Sequence, residues 1–394
     1  MIMSAREIFK PNQTADVVIV GGGIIGLTIA RALRQRGVRD VMLIERVRPG
    51  TEASSAAGGI LAPQVEADEA DEFLRLACAS RDMYEGFAAA LREETGVDVE
   101  LDMTGTLYLG FTEEDESELR RRYEWQKDAG LSVEWLDAGD ARRLEPCISA
   151  KVRCAIRFPK DVQVENRKLV EALAIANEKL GVRLVSDCEV NTIRIEREKV
   201  RAVETSLGPV NASIVVLAAG AWTSSINSPD IALPQVKLEP VRGQMLCFKT
   251  HPPIAHHVIY NSRGYLVPRR DGRLLAGSTT EHVGFDKKVT SEGMSAIRSM
   301  ALEIAPALEH LPLIDSWAGF RPRAEDDLPV IGPCEGIDGL FYATGHYRNG
   351  ILLAPITGEL IGDAIVGGAT PPWLATFSPN RFDSNLGRAV AGRQ

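Results

Sequence analysis

The sequence predicts a two-domain α/β protein (α+β over the whole chain), with a dinucleotide-binding Rossmann domain carrying an inserted, β-rich second domain. Three observations predict it. Asp16-Val-Val-Ile-Val is an apolar run suited to a buried parallel strand, and Gly21-Gly-Gly23-Ile24-Ile25-Gly26 follows it at once in the spacing G-x-G-x-x-G. Apolar runs ending in glycine recur at 214–220 and 340–345, so strands of one parallel sheet are expected in the middle and near the end of the chain. Between Pro234 and Trp317 the texture changes to short β-rich pieces, the mark of a separate sheet.

In the first unit each glycine has a task. Gly21 allows the tight turn, Gly23 lets backbone approach a pyrophosphate at a helix N-terminus, and Gly26 lets helix pack on strand. Ile29, Ala32 and Leu33 give the helix its apolar face, and Gly37 ends it. A second apolar strand closes on Glu45, nineteen residues beyond Gly26, where a carboxylate can accept from ribose hydroxyls. An acid rather than an arginine there favours a free 2′-hydroxyl, hence FAD or NAD over NADP. A lone glycine pattern is a weak signal; with strand, helix, second strand and terminal acid in place it is strong.

The remaining elements follow from period and punctuation. A helix is expected over 73–95, a strand over 105–111, and a charged helix capped by Thr112. On that helix Glu113, Glu114, Asp115, Glu116 and Glu118 precede Arg120-Arg121-Arg122, which reads as a solvated, salt-bridged face. Loop and short helix are expected over 135–150, a helix over 166–181, and strands near 182–186, 188–195 and 199–206. The β-rich pieces are 243–248, 257–260, 265–268 and 273–277, with helices over 291–304 and 349–366 and a frayed tail from Ser384. The simplest organisation is a discontinuous dinucleotide domain (1–90, 152–235 and 318–394) with a second domain inserted as 91–151 and 236–317.

Composition excludes several function classes. The 394 residues, 45% hydrophobic and 25% charged, describe an ordinary globular enzyme. A net charge of −9 leaves no basic stripe for nucleic acid. Six cysteines lie far apart without C-x-x-C, so reduced core thiols are expected rather than disulfides or zinc. His256-His257 has no third ligand in evident range, and no metal site is expected. Residues 1–14 lack an apolar h-region and no apolar run approaches ~18 residues, so neither signal peptide nor membrane span is expected, and the cytoplasm is the default.

A nicotinamide dehydrogenase would need only the first motif. This chain has three more stretches of the kind FAD requires. Ala53-Ser54-Ser55-Ala-Ala-Gly58-Gly59-Ile60 follows Glu45 closely, and its small residues let backbone lie against a flat ring. The 214–220 run returns a strand end, at Gly220, to the same crevice, with Trp222 beyond it as packing. In Ala343-Thr-Gly345-His346-Tyr-Arg348-Asn349-Gly350-Ile351-Leu352 a strand ends at Gly345 and a helix is expected from about Gly350. Free N–H groups and the positive dipole end there can stabilise negative charge on the flavin N1–C2=O locus.

Together these segments resemble the D-amino-acid oxidase superfamily of flavoproteins, and within it the glycine oxidase branch. The resemblance runs from Asp16 to about Phe382 and rests on Gly21–Gly26, Ser55-Ala-Ala-Gly58, Trp317-Ala-Gly-Phe-Arg321-Pro and Gly345-His-Tyr-Arg348-Asn-Gly-Ile-Leu-Leu-Ala-Pro355. It implies a glutathione-reductase-like domain binding FAD without covalent attachment, and an antiparallel-sheet substrate domain covering the flavin. It further implies oxidation of a small amino acid (glycine, sarcosine or a small D-amino acid) by hydride transfer to flavin N5. Dioxygen would be the acceptor, with an oxo acid, ammonia and hydrogen peroxide as products. The imine of glycine for thiamine thiazole synthesis and a homotetramer are also implied. The expected cofactor contacts add Arg46 and Val190 to the residues above. Two alternatives stay open: a D-amino-acid or sarcosine dehydrogenase passing electrons to a quinone, and a protein in which FAD is structural.

The resemblance assigns Arg321 as the clamp on the substrate carboxylate, a task for which a planar guanidinium fork is suited. A salt bridge to Asp326 or Asp327 is the competing reading of Arg321. Arg348 falls at the active site, or else holds its loop. Tyr265 matches a tyrosine that bonds the carboxylate and Tyr260 a second pocket tyrosine, though both could be core. The chain departs from the family pattern at Arg263, where a pocket histidine is expected, and at Thr280, where a methionine is; both make the expected pocket more polar. His346 directly follows Gly345 and is read as a backbone or flavin contact rather than a base.

Overall fold

The protein is described from a computed structural model, which covers residues 13–234, 236–368 and 371–382. The tail from Ser384 and the outer ends of the 1–90 and 318–394 segments lie outside the described residues. The described chain forms two eight-stranded sheets and a two-stranded ribbon.

In the first sheet the order is Val330–Pro333, Leu340–Thr344, Gly208–Leu217, Gln13–Val20, Val41–Ile44, Arg183–Val185. All neighbours are parallel except the first pair. The apolar runs are continuous because both faces are covered. Val17, Ile19, Val41 and Leu43 point to a core shared with helices Ile24–Gln35, Asn166–Lys179 and Ala354–Val366. Val18, Val20, Met42 and Ile44 point the other way, against the hairpin Val190–Glu196/Lys199–Thr205. Each such side chain removed from water contributes about 1.5–3 kcal/mol.

In the second sheet the order is Leu313–Ala324, Leu238–Lys249, Arg273–Gly277, Gly264–Pro268, Val258–Asn261, Thr106–Gly110, Cys154–Phe158, Glu134–Asp137. Leu246, Phe248 and Leu266 pack on helix Ser291–Ile304, while Met245, Tyr260, Tyr265 and Val267 form the opposite face. Period-2 alternation thus puts the tyrosines on one side and the structural core on the other.

Four expectations are corrected. The second sheet is not wholly antiparallel: Val258–Asn261 runs parallel to Thr106–Gly110. These strands come from different inserted segments, so no hairpin dictates their direction. Sheet membership also crosses the expected boundaries at 151/152 and 317/318. Cys154–Phe158 pairs within the second sheet, and Leu313–Ala324 stays paired with Leu238–Lys249 along its length. The 73–95 helix is two, Glu72–Asp82 and Tyr84–Thr95, joined at Met83. The last helix begins at Ala354, not near Gly350, and a turn over 349–353 precedes it. The Thr112 cap is present as a capping box with Asp115.

Candidate active site

A deep cavity lies at the carboxyl ends of the parallel strands, lined by residues from both large sheets. Gly21 has φ +111° and a Cβ there would sit 2.4 Å from the Ala218 carbonyl oxygen, so no side chain is tolerated. A Cβ on Gly26 would meet the Gly21 oxygen at 2.0 Å, which makes Gly26 the contact between helix and strand. Gly23, by contrast, faces open space, with only Ser54 Oγ at 3.4 Å from its ideal Cβ. It caps helix Ile24–Gln35 without a side-chain bond, leaving first-turn amides without intrahelical acceptors. The Ile24 amide donates to Ser54 Oγ (2.9 Å). Glu45 is pinned at its strand end by the Gly22 amide (2.7 Å) and the Val47 amide (3.0 Å). These features fit a dinucleotide: a glycine cradle, a helix N-terminus and a carboxylate for ribose.

Of the residues expected from sequence, Gly21, Gly23, Ile24, Ile25, Glu45, Arg46, Ala53, Ser54, Gly58, Gly59, Ile60, Val190, Gly220 and Trp222 line this cavity. So do Tyr260, Tyr265, Arg321, His346, Arg348, Asn349, Gly350 and Ile351. Gly26, Ser55, Gly345 and Leu352 lie behind the lining. Ser55 turns its hydroxyl onto the Gly50 carbonyl, Gly345 backs onto Val330 and Ala324 at φ +69°, and the Leu352 carbonyl accepts from Ser80 Oγ at 2.6 Å. Trp222 packs as expected: Phe285 stacks on it at 5.1 Å and the Arg46 guanidinium lies 3.6 Å from its ring centre.

In the 349–353 turn Leu353 N–H donates to Asn349 O (2.8 Å), while the amides of Gly350, Ile351 and Leu352 find no acceptor among the described residues. The turn therefore offers free donors without being the first turn of the helix. His346 is buried and bonded through Nε2 to Thr357 Oγ1 (3.0 Å), and burial lowers its pKa to about 3. It is a neutral imidazole at physiological pH.

The polar chemistry gathers around two arginines. Arg321 donates to Ser278 Oγ (2.5 Å) and to the Thr279 carbonyl (3.1 Å), and no ion pair forms to it among the described residues. The salt bridge once open to it is closed off, because Asp326 pairs with Arg381 and Asp327 with Arg323. Burial lowers the pKa of Arg321 below its usual value. Tyr265 Oη lies 3.3 Å from the same Ser278 hydroxyl and 3.6 Å from Met245 Sδ, which also lines the cavity.

Arg348 is differently placed. Its Nε and Nη2 reach the two carboxylate oxygens of Glu66 at 3.2 and 2.8 Å, and Tyr260 Oη donates to Glu66 at 3.4 Å. Burial, the largest single influence, pushes the Glu66 carboxyl up, but the charge and hydrogen bond of Arg348, with Arg321 and Tyr260 adding to them, together outweigh it and the net shift is downward. The Glu66 carboxylate in turn raises Arg348. Sequence reading missed Glu66. It ends the short helix Pro63–Glu66, which is clamped at both ends. Asp161 accepts the Gln64 and Val65 amides (2.9 Å each), while Arg122 donates to the Val65 and Ala67 carbonyls (2.6 and 2.9 Å).

The two departures from the family pattern lie elsewhere than expected. Arg263 is exposed and pairs with Glu303 at 2.5 Å, and Thr280 is exposed; neither lines the cavity. All six cysteines are free thiols. Among the described residues no group of three or more His, Cys, Asp or Glu could hold a metal, and no helix is long and apolar enough to cross a membrane.

The family model described as FAD dependent oxidoreductase (DAO) matches residues 16–364. The chain belongs to this family. It is 36% identical to a glycine oxidase of Geobacillus kaustophilus over 374 residues, covering 94% of this chain and 98% of that one. It is 37% identical to a bifunctional ThiO/ThiG protein of Synechocystis over 94% of this chain and 54% of that one. The crystal structure of glycine oxidase from Geobacillus kaustophilus superposes with a TM-score of 0.88 at 35% identity, covering 94% of this chain and 99% of that one. This FAD-dependent oxidoreductase therefore shares a two-domain FAD-binding fold with its family, and its glycine cradle and Glu45 line the cavity at the strand ends.

Proposed function

We propose that the protein oxidises a small amino acid, with glycine, sarcosine and small D-amino acids as the substrate class, to the oxo acid, ammonia and hydrogen peroxide. The observation that carries this reading is Arg321. It is a guanidinium in the cavity wall with only neutral oxygens as partners, beside a tyrosine hydroxyl. A cation so placed calls for an anion, and a planar fork suits a carboxylate held by two oxygens. Tyr265 and Ser278 complete the carboxylate site. Ile60 and Met245 line the same space and restrict the side chain that an α-carbon could carry. Bound FAD supplies the hydride acceptor, with dioxygen reoxidising it. The chain's own contribution is orientation: the clamp fixes which α-hydrogen points at the ring. Neutral His346 is not called on to carry a proton, since an amine bound in neutral form needs no strong base.

The glycine oxidase and ThiO/ThiG relatives support glycine as a substrate and its imine as a supply for thiazole synthesis. A cytoplasmic homotetramer completes the proposal, resting on the resemblance, and light scattering would read the oligomer directly. The decisive experiment incubates the purified yellow protein with glycine, sarcosine and D-alanine and measures hydrogen peroxide. Peroxide with at least one of the three is expected. Flavin reduction without peroxide would move the reading to a dehydrogenase, and no flavin reduction with any of them would sink the amino-acid class.

A further inference from the structure

We infer that Glu66 sets the substrate class of this site: by closing the ion pair with Arg348 it admits amino acids with one anionic group and turns away those with two. The inference rests on the reading of Arg321 as the carboxylate clamp. Both guanidiniums line one cavity, yet they differ in their partners. Arg321 donates only to neutral oxygens of Ser278 and Thr279, whereas Arg348 spends its Nε–Nη2 edge on both Glu66 oxygens. Two cations and one anion leave the cluster a single positive charge. One α-carboxylate neutralises it.

A second carboxylate would enter a cluster whose charge is already balanced. It would meet Arg348 with its bidentate edge occupied, and Glu66 as a like charge alongside. Asp161 and Arg122 hold the backbone on either side of Glu66 at the cavity, and turning its side chain away would break both bonds to Arg348. Tyr260 adds a donor to the same carboxylate. Arg348 keeps Glu66 ionised at working pH. The pair is thus a filter held by positioned groups, with side chains 29% and 32% exposed where they line the cavity.

The test compares acetate with malonate, a mono- and a dicarboxylate that cannot be oxidised, by titrating each into the FAD-loaded protein and following the flavin absorption band. In Glu66→Gln malonate should gain at least about tenfold in affinity relative to acetate. Asp68→Asn removes the same charge from a neighbouring residue that is 78% exposed and paired with Arg122, and it should leave the ratio where it was. If Glu66→Gln fails to fold, Arg348→Gln gives the converse. It leaves Glu66 unpaired, and malonate should weaken at least about tenfold relative to acetate. A ratio unmoved in the folded variant, or moved equally by Asp68→Asn, overturns the inference. Because neither probe is a substrate, the ratio reads the filter even if no amino acid is turned over. In turn, glycine oxidation by a Glu66→Gln protein that shows no gain for malonate would leave the proposed function standing and the filter refuted.

Discussion

Arg321 and Arg348 carry the same side chain into one cavity, and their partners alone give them different work. Arg321→Lys keeps the charge but loses the two-pronged geometry that aims the α-hydrogen, so binding and orientation suffer together. A loss of about 2 kcal/mol in catalytic efficiency is expected, with FAD still bound, on the scale of one charged bidentate contact. Anaerobic reduction of the flavin band measures it; a variant reacting as fast as the parent ends the clamp assignment. Glu45→Arg removes the acceptor at the strand end and should weaken FAD by about 1.5–3 kcal/mol, read as flavin content after gel filtration. Arg321 was legible through the resemblance, because it stands in the string Trp317-Ala-Gly-Phe-Arg321-Pro that carries it. Glu66 was not. It stands among Asp68, Glu69, Asp71 and Glu72, and nothing in a line of acids says which one turns inward. Arg263 and Thr280 misled for the converse reason, since matching positions cannot show that Arg263 turns out to Glu303.

Among the elements, the turn between strand Leu340–Thr344 and helix Ala354–Val366 shows where sequence reading stops. Strand and helix were both visible from apolar period and glycine punctuation. Residues 349–353, the last five before the helix, were read as part of it, so its start was placed too early. His346 ties this turn to the helix through Thr357. Its folded pKa, about 3, lies below the value of an unfolded histidine. The folded protein therefore refuses a proton that the unfolded chain accepts. Stability from this group is whole above about pH 6.5 and is lost as pH falls from there toward 3. His346→Asn, which cannot titrate, should flatten part of the acid decline in Tm. Melting the two proteins in parallel at pH 7 and pH 4.5 checks it; a parallel decline in both would show that His346 already takes a proton when folded.

For the whole molecule, the parallel sheet was legible because each of its central strands announces itself as a buried apolar run, wherever it falls along the chain. The second sheet was less so: Cys154–Phe158 and Thr106–Gly110 are short, and their partners are decided by segments far away. That same long-range assembly puts the cofactor cradle on one sheet and Tyr265, Met245 and Arg321 on the other, so a ligand in the cavity bridges both. FAD should then stabilise the fold as a whole, by about 2.7 kcal/mol at a hundredfold excess over its dissociation constant. It should also leave when the fold does. Covalent attachment needs a nucleophile at the ring, and the thiols are poorly placed for it. Cys188 alone of the six lines the cavity, beside Glu45, to whose carbonyl its own amide donates (3.0 Å), while Cys334 is buried outside the lining. His346 is committed to Thr357. Acid precipitation of the yellow protein is therefore expected to leave the flavin in the supernatant and a colourless pellet, and apoprotein titrated with FAD should melt progressively higher. Flavin retained by the washed pellet would refute non-covalent binding, whereas a Tm indifferent to FAD would refute the bridging of the two sheets.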